Sequence, residues 1–160
     1  SNKKPIIGQY DINREGSGDM YSKGANLLHT IRQLAKDDEV WRQTLRGLNE
    51  EFYHSTVTTK EIEDYISKSI GIDLSKVFDQ YLRDIRVPVF EYEITNGELK
   101  YRWNNVINGF NMPIEVIIDG KNTILKPSTE FKKTPIKNPY INVDNDYYIF
   151  TKDLKIIIDS

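Results

Sequence analysis

The side chains that most often bind metals or act as nucleophiles are scarce in this sequence. It contains two histidines, His29 and His54, and no cysteine. A zinc site of the His-Glu-x-x-His type needs two imidazoles one helical turn apart, and neither histidine has a partner at that spacing. The lack of cysteine excludes disulfides, thiolate metal sites and cysteine nucleophiles. We therefore expect the isolated chain to bind no metal or other cofactor and to be catalytically inert.

Two other patterns could carry chemistry, and each has a simpler interpretation. Gly16-Ser17-Gly18 precedes a predicted helix, whose amino terminus can hold an anion. The lysine and the preceding strand of a phosphate-binding loop do not accompany it, which favours a turn. The acidic runs at 50–51 and 61–64 are typical of the solvated faces of amphipathic helices. The residues alone therefore define no complete active site.

Charge and hydropathy exclude several classes of partner. The 160 residues carry 22 Lys/Arg and 24 Asp/Glu, a net charge of −2. Residues 1–86 hold 13 basic and 14 acidic side chains, and residues 87–160 hold 9 and 10, so neither half is basic. Nothing approaches the roughly 18 consecutive apolar residues of a membrane-spanning helix. We expect no nucleic-acid partner and no integral membrane location, with the compartment open between cytoplasm and periplasm.

Helical periodicity dominates the first half of the chain. A first helix is predicted over 19–36, with Asp19 as its cap. Its apolar face would comprise Met20, Gly24, Leu27, Leu28, Ile31, Leu34 and Ala35. Gly24 is unfavourable inside a helix and indicates a close approach by another helix. Asp37 can cap a second helix, which would bury Val40, Trp41, Leu45, Leu48 and Phe52.

Two further helices are predicted before Pro88. Thr58-x-x-Glu61 is a capping box that opens the third, and Gly71 ends it. This helix would present Ile62, Tyr65, Ile66 and Ile70 to the core. Asp73 opens the fourth, which would bury Val77, Phe78, Tyr81, Leu82 and Ile85. Short connections predict that the four helices pack as antiparallel neighbours.

After Pro88 the hydrophobic period changes to two, which indicates strands. Asn96-Gly97 and Asp119-Gly120 are strong hairpin signals because both turn positions need a positive φ. Further strands are predicted near 130–137, 140–143, 147–151 and 154–158. The predicted fold is α+β, with an extended loop over 1–18, a four-helix antiparallel segment over 19–87 and a small antiparallel β-sandwich over 88–160.

A set of short motifs in the helical half resembles one enzyme family. Tyr21-Ser22-Lys23-Gly24-Ala25 is similar to the Tyr-x-Lys-Gly-Ala motif that follows the zinc-binding helices of aminopeptidase N-type metallopeptidases, the gluzincins. The similarity continues through 28–32, 57–59, 70–74 and 78–82, and through the strand entry at 87–90. It covers about 5–92 well and the strand half only by position. These motifs occur in the order seen in that family.

This resemblance implies the role of the chain. The chain would be the carboxy-terminal part of a zinc aminopeptidase that removes amino-terminal residues from peptides, with 19–87 as the end of its catalytic domain. Tyr21 would be the catalytic tyrosine, which donates a hydrogen bond to the oxyanion of the tetrahedral intermediate. The chain departs from the family pattern in lacking His-Glu-x-x-His and the zinc-binding glutamate, so zinc would be bound by a missing upstream part of the same protein.

A second function also fits the sequence. A four-helix segment followed by a β-sandwich could serve as a non-catalytic protein-interaction module, and Tyr21 would then be a packing residue at the start of a helix. An upstream His-Glu-x-x-His in the parent gene would distinguish the two. The amino-terminal residue that the enzyme would prefer cannot be predicted, because the family's recognition glutamates also lie upstream.

Overall fold

The structure is a computed structural model that describes residues 4–7 and 20–155. Its helical half comprises α1 (Met20–Ala35), α2 (Asp38–Glu51), α3 (Thr59–Ile70), α4 (Ser75–Phe78) and a π-helix (Asp79–Arg83). Its strands are β1 (Val89–Thr95), β2 (Glu98–Asn104), β3 (Ile114–Ile118), β4 (Lys121–Leu125), β5 (Lys132–Pro135), β6 (Ile141–Val143) and β7 (Phe150–Asp153). Helices thus give way to strands after Pro88, so the α+β prediction is correct.

The limits of α2 and α3 follow from local hydrogen bonds that the sequence predicts. The Asp37 side chain accepts a bond of 2.7 Å from the amide of Glu39 at the start of α2. At α3 the capping box is complete, since Thr58 and Glu61 each bond the other's backbone amide. Gly71 ends α3 with a left-handed φ of 71°. These side chains satisfy backbone groups that have no partner inside a helix. The predicted cap Asp19 lies outside the described residues.

The fourth helix differs from its prediction. It leaves α-geometry after Phe78 and continues as the π-helix, and Asp84 is already extended. Ile85, expected in the core, is therefore exposed. The buried Gln80 bridges the two halves of the chain: its amide nitrogen donates to the carbonyl of Arg86 (2.8 Å), and its amide oxygen accepts from the backbone nitrogen of Ile107 (2.7 Å). A π-helix is rare and occurs mostly as a single turn continuous with an α-helix, as it does here after α4.

On several helices, some of the residues predicted to face the core are exposed. Leu28, Leu45 and Ile62 were expected in the core and are exposed. Polar side chains with specific partners are buried instead. The Thr30 hydroxyl accepts a 3.0 Å bond from the amide of Tyr148, and Glu63 forms a 2.7 Å ion pair with Arg83. The sequence does not predict these polar contacts, because each partner lies in a distant segment of the chain.

The strands form a four-stranded sheet in the order β5-β2-β1-β7 and a three-stranded sheet in the order β4-β3-β6. Both predicted hairpins are present, with positive φ at Asn96, Gly97, Asp119 and Gly120. One pairing contradicts the antiparallel prediction, because β7 runs parallel to β1. A parallel pair needs a long connection, and β7 follows β1 after more than fifty residues.

Some of the further predicted strands are present among the described residues and others are not. Short strands lie within 130–137 and 140–143, whereas 147–151 contributes only the beginning of β7. Leu154 and Lys155 form a turn, and 156–158 lies outside the described residues. Of the amino-terminal loop, 4–7 is described and contains no helix or strand, while 1–3 and 8–19 lie outside the described residues. The antiparallel helix packing, the sandwich and the domain limits stay predictions.

One hydrophobic core joins the helices to both sheets. It includes Ile31 and Leu34 of α1, Phe90 and Trp103 of the larger sheet, and Val116 of the smaller one. Trp103 is buried between Phe90 and Phe110, with ring centroids 5.5 and 5.4 Å away, and its indole nitrogen donates to the carbonyl of Met112 (2.9 Å). Burial of this shared surface supplies most of the force that fixes α1.

A buried carboxylate on β1 makes the stability of the larger sheet depend on pH. Glu91 accepts hydrogen bonds from Arg102 (2.9 Å) and Asn104 (2.8 Å) and lies 3.9 Å from the Lys152 ammonium. Burial alone would raise the pKa of Glu91, but the Asn104 and Arg102 bonds outweigh burial and hold this pKa below its usual value. A lowered folded-state pKa stabilises the protein above the unfolded pKa, and this contribution is lost as pH falls through the folded pKa.

We therefore expect Glu91→Gln to lower the free energy of unfolding at pH 7 by about 1–3 kcal/mol, because Arg102 loses a charged partner. The difference from the parent chain should shrink steadily below pH 4. Urea unfolding at pH 7, 5 and 3 measures this, with the exposed Glu130→Gln as the matched control. A difference that does not change with pH would mean that ionisation of Glu91 contributes nothing to stability.

Candidate functional site

The predicted catalytic residue, Tyr21, lies on the surface. It is the second residue of α1, and the residue is 77% exposed. An exposed position is what a donor that must reach a substrate requires. This exposure does not test the catalytic role.

The exposed face of α1 is partly apolar. Residues 21, 25, 28 and 32 recur at four- and three-residue intervals and so lie on one side of the helix. Tyr21 and Leu28 are both strongly exposed, and Ala25 lies between them. Arg32 ends this stripe and makes two 2.9 Å bonds to the Asp38 carboxylate. Two large apolar side chains on one helix face can provide a contact surface for another protein segment.

Lys23 lies on the opposite side of the same turn. Two residues correspond to about 200° around an α-helix, so Tyr21 and Lys23 point in nearly opposite directions. Lys23 is only 2% exposed, and its ammonium donates a 2.6 Å bond to the backbone carbonyl of Asp84. Asp84 is the first residue after the π-helix. The first turn of α1 is thus tied to the junction between the helical and strand halves.

Asp84, whose carbonyl accepts the Lys23 hydrogen bond, is itself fixed by contacts with Arg86. Arg86 donates two 2.9 Å side-chain bonds to the Asp84 carboxylate, and a third, also 2.9 Å, to the carbonyl of Val106 beyond β2. The Arg86 hydrogen bond holds the pKa of Asp84 below its usual value, with burial opposing it and the charge of Lys23 adding a smaller effect in the same direction. At neutral pH the junction is therefore a connected set of ionised groups.

The other end of α1 is anchored to the segment before β7. Besides the Thr30–Tyr148 bond, the Gln33 side chain donates to the Asp146 carboxylate (3.3 Å). The His29 imidazole lies 3.4 Å from the same carboxylate. Tyr148 in turn accepts a 2.8 Å bond at its carbonyl from the buried Tyr81 hydroxyl. Contacts at both ends thus orient α1.

The close helix approach predicted at Gly24 does not occur among the residues that the structure describes. Within 4–7 and 20–155, a Cβ atom built at Gly24 would meet nothing within 4 Å. The adjacent residue, Lys23, makes the contact that holds this turn of α1 against the rest of the protein. The sequence does indicate that Lys23 is buried, because residues 23, 27, 30, 31 and 34 fall on one helix face. All five are buried. A lysine on this buried helix face indicates a buried charge that has a hydrogen-bond partner.

The two histidines do not form a metal site. His29 contacts Asp146, whereas His54 follows α2 with a φ of 55° and packs its ring 4.1 Å from that of Tyr53. Within 4–7 and 20–155, no three His, Asp or Glu side chains are placed to hold an ion together. The described donors therefore do not fit a catalytic zinc ion, which needs three protein ligands. The same part of the chain contains no helix that is both long and apolar enough to cross a bilayer.

The sequence is similar to part of a known aminopeptidase. No protein-family model matches the chain. Aminopeptidase 2 of Candida albicans is 28% identical to it over 104 residues. This match covers 64% of the chain and 11% of the Candida protein.

The fold is similar to part of a solved aminopeptidase structure. Aminopeptidase A of Legionella pneumophila, in complex with aspartic acid, matches with a TM-score of 0.64 at 15% identity. The match covers 95% of this chain and 20% of the Legionella chain. The chain thus spans about a tenth to a fifth of the length of these proteins. In sequence it is related to one aminopeptidase, and in fold it is similar to a portion of another.

Proposed function

We propose that this chain is the carboxy-terminal part of a zinc-dependent aminopeptidase of the gluzincin family, which removes amino-terminal residues from peptides. The likeness to the Candida and Legionella aminopeptidases supports the peptidase class. The observation that carries the proposal is the exposed Tyr21 phenol at the start of a helix that is anchored at both ends. A buried phenol could not reach a substrate.

Tyr21 would act on the oxyanion that forms when the scissile carbonyl is attacked. A tyrosine hydroxyl can donate one hydrogen bond. The bond strengthens as negative charge develops on the oxygen, so the transition state gains more than the bound substrate. The donor must be fixed in advance, because any reorientation during the reaction would offset this gain.

Zinc and its ligands would come from a part of the protein that this chain does not include. The two histidines lie apart and have other neighbours, so no catalytic step is assigned to a metal at these residues. The general base and the residues that recognise the substrate amino group would lie in the same missing part. The chain would contribute the oxyanion donor and the scaffold that holds it.

The zinc-binding part would pack on the exposed face of α1. Tyr21 and Leu28 present an apolar stripe there, and a partner segment that covers Leu28 would bring its own residues close to the phenol. This arrangement would place the donor at the boundary between the two parts, where substrate peptides bind.

The decisive experiment uses the protein encoded by the complete parent gene. We expect it to contain His-Glu-x-x-His upstream of Tyr21, to hold about one zinc per chain and to release 4-nitroaniline from aminoacyl 4-nitroanilides. A zinc chelator should abolish this activity, and added zinc should restore it. If the protein hydrolyses no aminoacyl substrate, the alternative, a non-catalytic interaction module, replaces this proposal.

The isolated chain should behave differently. Because its described residues do not fit a zinc site, we expect the purified 160-residue chain to bind no zinc at micromolar concentration and to hydrolyse no aminoacyl 4-nitroanilide. Calorimetric titration with zinc and a chelator-controlled assay measure both properties. Stoichiometric zinc binding, or hydrolysis that a chelator abolishes, would show that the chain has its own metal site.

A further inference from the structure

The first turn of a helix is held less firmly than its middle. Its amide groups have no partner inside the helix, and it frays unless a side chain or tertiary contact secures it. Tyr21 lies in this turn, one residue after the start of α1. Most of its side chain is in solvent, so the core does little to hold its own ring. A fixed phenol therefore needs another anchor close by.

Lys23 provides such an anchor. The ammonium is buried and bonds the Asp84 carbonyl at 2.6 Å, on the side of α1 that faces the protein. A buried ammonium needs hydrogen-bond acceptors around it, and the Asp84 carbonyl is one of them. The Asp84 carboxylate and Arg86 make the acceptor rigid, because Arg86 also bonds the carbonyl of Val106 in the strand half.

We propose that Lys23 is a positioning residue for Tyr21: it fixes the first turn of α1 against the junction at Asp84 and thereby holds the phenol in place. Lys23 does not touch the substrate in this proposal, since its ammonium lies on the opposite side of the helix. The inference rests on the proposed function of Tyr21. It also gives the strand half a role, because Val106 helps to fix the acceptor through Arg86.

The first test uses the 160-residue chain and requires no activity. Lys23→Met keeps most of the side-chain length and removes the charge, whereas Lys23→Arg keeps a cation. Hydrogen exchange at the amides of 24–27, which bond the carbonyls of the first turn, should become at least tenfold faster in Lys23→Met and change less in Lys23→Arg. The amides of α3 should be unaffected. Lys68→Met, at an exposed lysine of α3, is the matched control. Unchanged exchange at 24–27 in Lys23→Met would overturn the proposal.

The second test uses the full-length enzyme and a double-mutant cycle. Lys23→Met should lower kcat about tenfold and change KM less than twofold, measured per folded molecule. In a Tyr21→Phe background the same substitution should have almost no further effect, because the hydroxyl that it positions is gone. Equal effects of Lys23→Met in both backgrounds would show that Lys23 acts independently of Tyr21 and would overturn the proposal.

The experiments distinguish a failure of the function proposed for Tyr21 from a failure of the positioning role proposed for Lys23. If Tyr21→Phe alone leaves kcat unchanged, the function proposed for Tyr21 fails, whatever Lys23 does. If Lys23→Met does not fold, Arg86→Met replaces it, because this variant loosens the Asp84 acceptor and leaves the lysine in place. Arg86→Met should show the same dependence on the Tyr21 hydroxyl with a smaller loss of kcat. Equal losses of kcat with and without that hydroxyl would again contradict the positioning role.

Discussion

Tyr21→Phe in the full-length enzyme should lower kcat by about 10²–10³-fold, as the removal of one oxyanion donor does at comparable sites. KM should change little, because the hydrogen bond becomes strong only as charge develops on the substrate oxygen. The melting temperature should stay the same. The phenol is in solvent at the start of α1, and phenylalanine keeps the ring.

Initial rates with an aminoacyl 4-nitroanilide and thermal unfolding of the same preparation measure both quantities. Tyr53→Phe is the matched control, since Tyr53 is also in the helical half and is 75% exposed. This control should keep full activity. Unchanged turnover in Tyr21→Phe would exclude the catalytic role, and a lower melting temperature with normal turnover would indicate a structural hydroxyl.

Trp103→Ala should cause the largest loss of stability among the substitutions considered. Trp103 is almost fully buried, makes edge contacts with Phe90 and Phe110 and donates a hydrogen bond to the Met112 carbonyl. Truncation leaves a cavity and an unpaired carbonyl, at a cost of about 3–5 kcal/mol. This cost is a large fraction of the roughly 5–15 kcal/mol that stabilises a typical domain.

Urea unfolding of the 160-residue chain, followed by circular dichroism, measures this loss. Trp41 remains as a fluorescent probe in the variant. Tyr140→Ala serves as the control, because Tyr140 lies on the surface of the strand half and should cost less than about 0.5 kcal/mol. A loss below about 1 kcal/mol for Trp103→Ala would mean that this region of the core is much looser than its packing indicates.

The sequence predicts those parts of the fold that local interactions determine. The capping box at Thr58 and Glu61 needs only residues three apart, and the Asn96-Gly97 turn needs only two backbone conformations. Both were predicted correctly. The parallel pairing of β7 with β1 depends on residues about sixty positions apart, and no local pattern encodes it. The π-helix is equally unpredictable, because Gln80 bonds groups that come together only in the folded chain.

The same distinction applies to the candidate site. The position of Tyr21 at an exposed helix start was predictable, because the motif and the helix period both lie in one short segment. The burial of Lys23 was not predicted, although the spacing of Lys23, Leu27 and Leu34 places all three on one face of the helix. Its partner, Asp84, follows sixty-one residues later, so the reason for a lysine on an apolar face appears only in three dimensions.

The late pairing of β7 has a consequence for the order of folding. During synthesis the described helices and the β1–β2 hairpin emerge before Phe150, yet β1 cannot gain its second neighbour until β7 is made. The Tyr148 amide that bonds Thr30, and the Tyr148 carbonyl that bonds Tyr81, arrive at the same stage. Such distant contacts are slow to form, because a long loop must close first. An incomplete chain ending near 145 would thus leave one edge of β1 open and α1 without its second anchor, a state prone to pair with other chains.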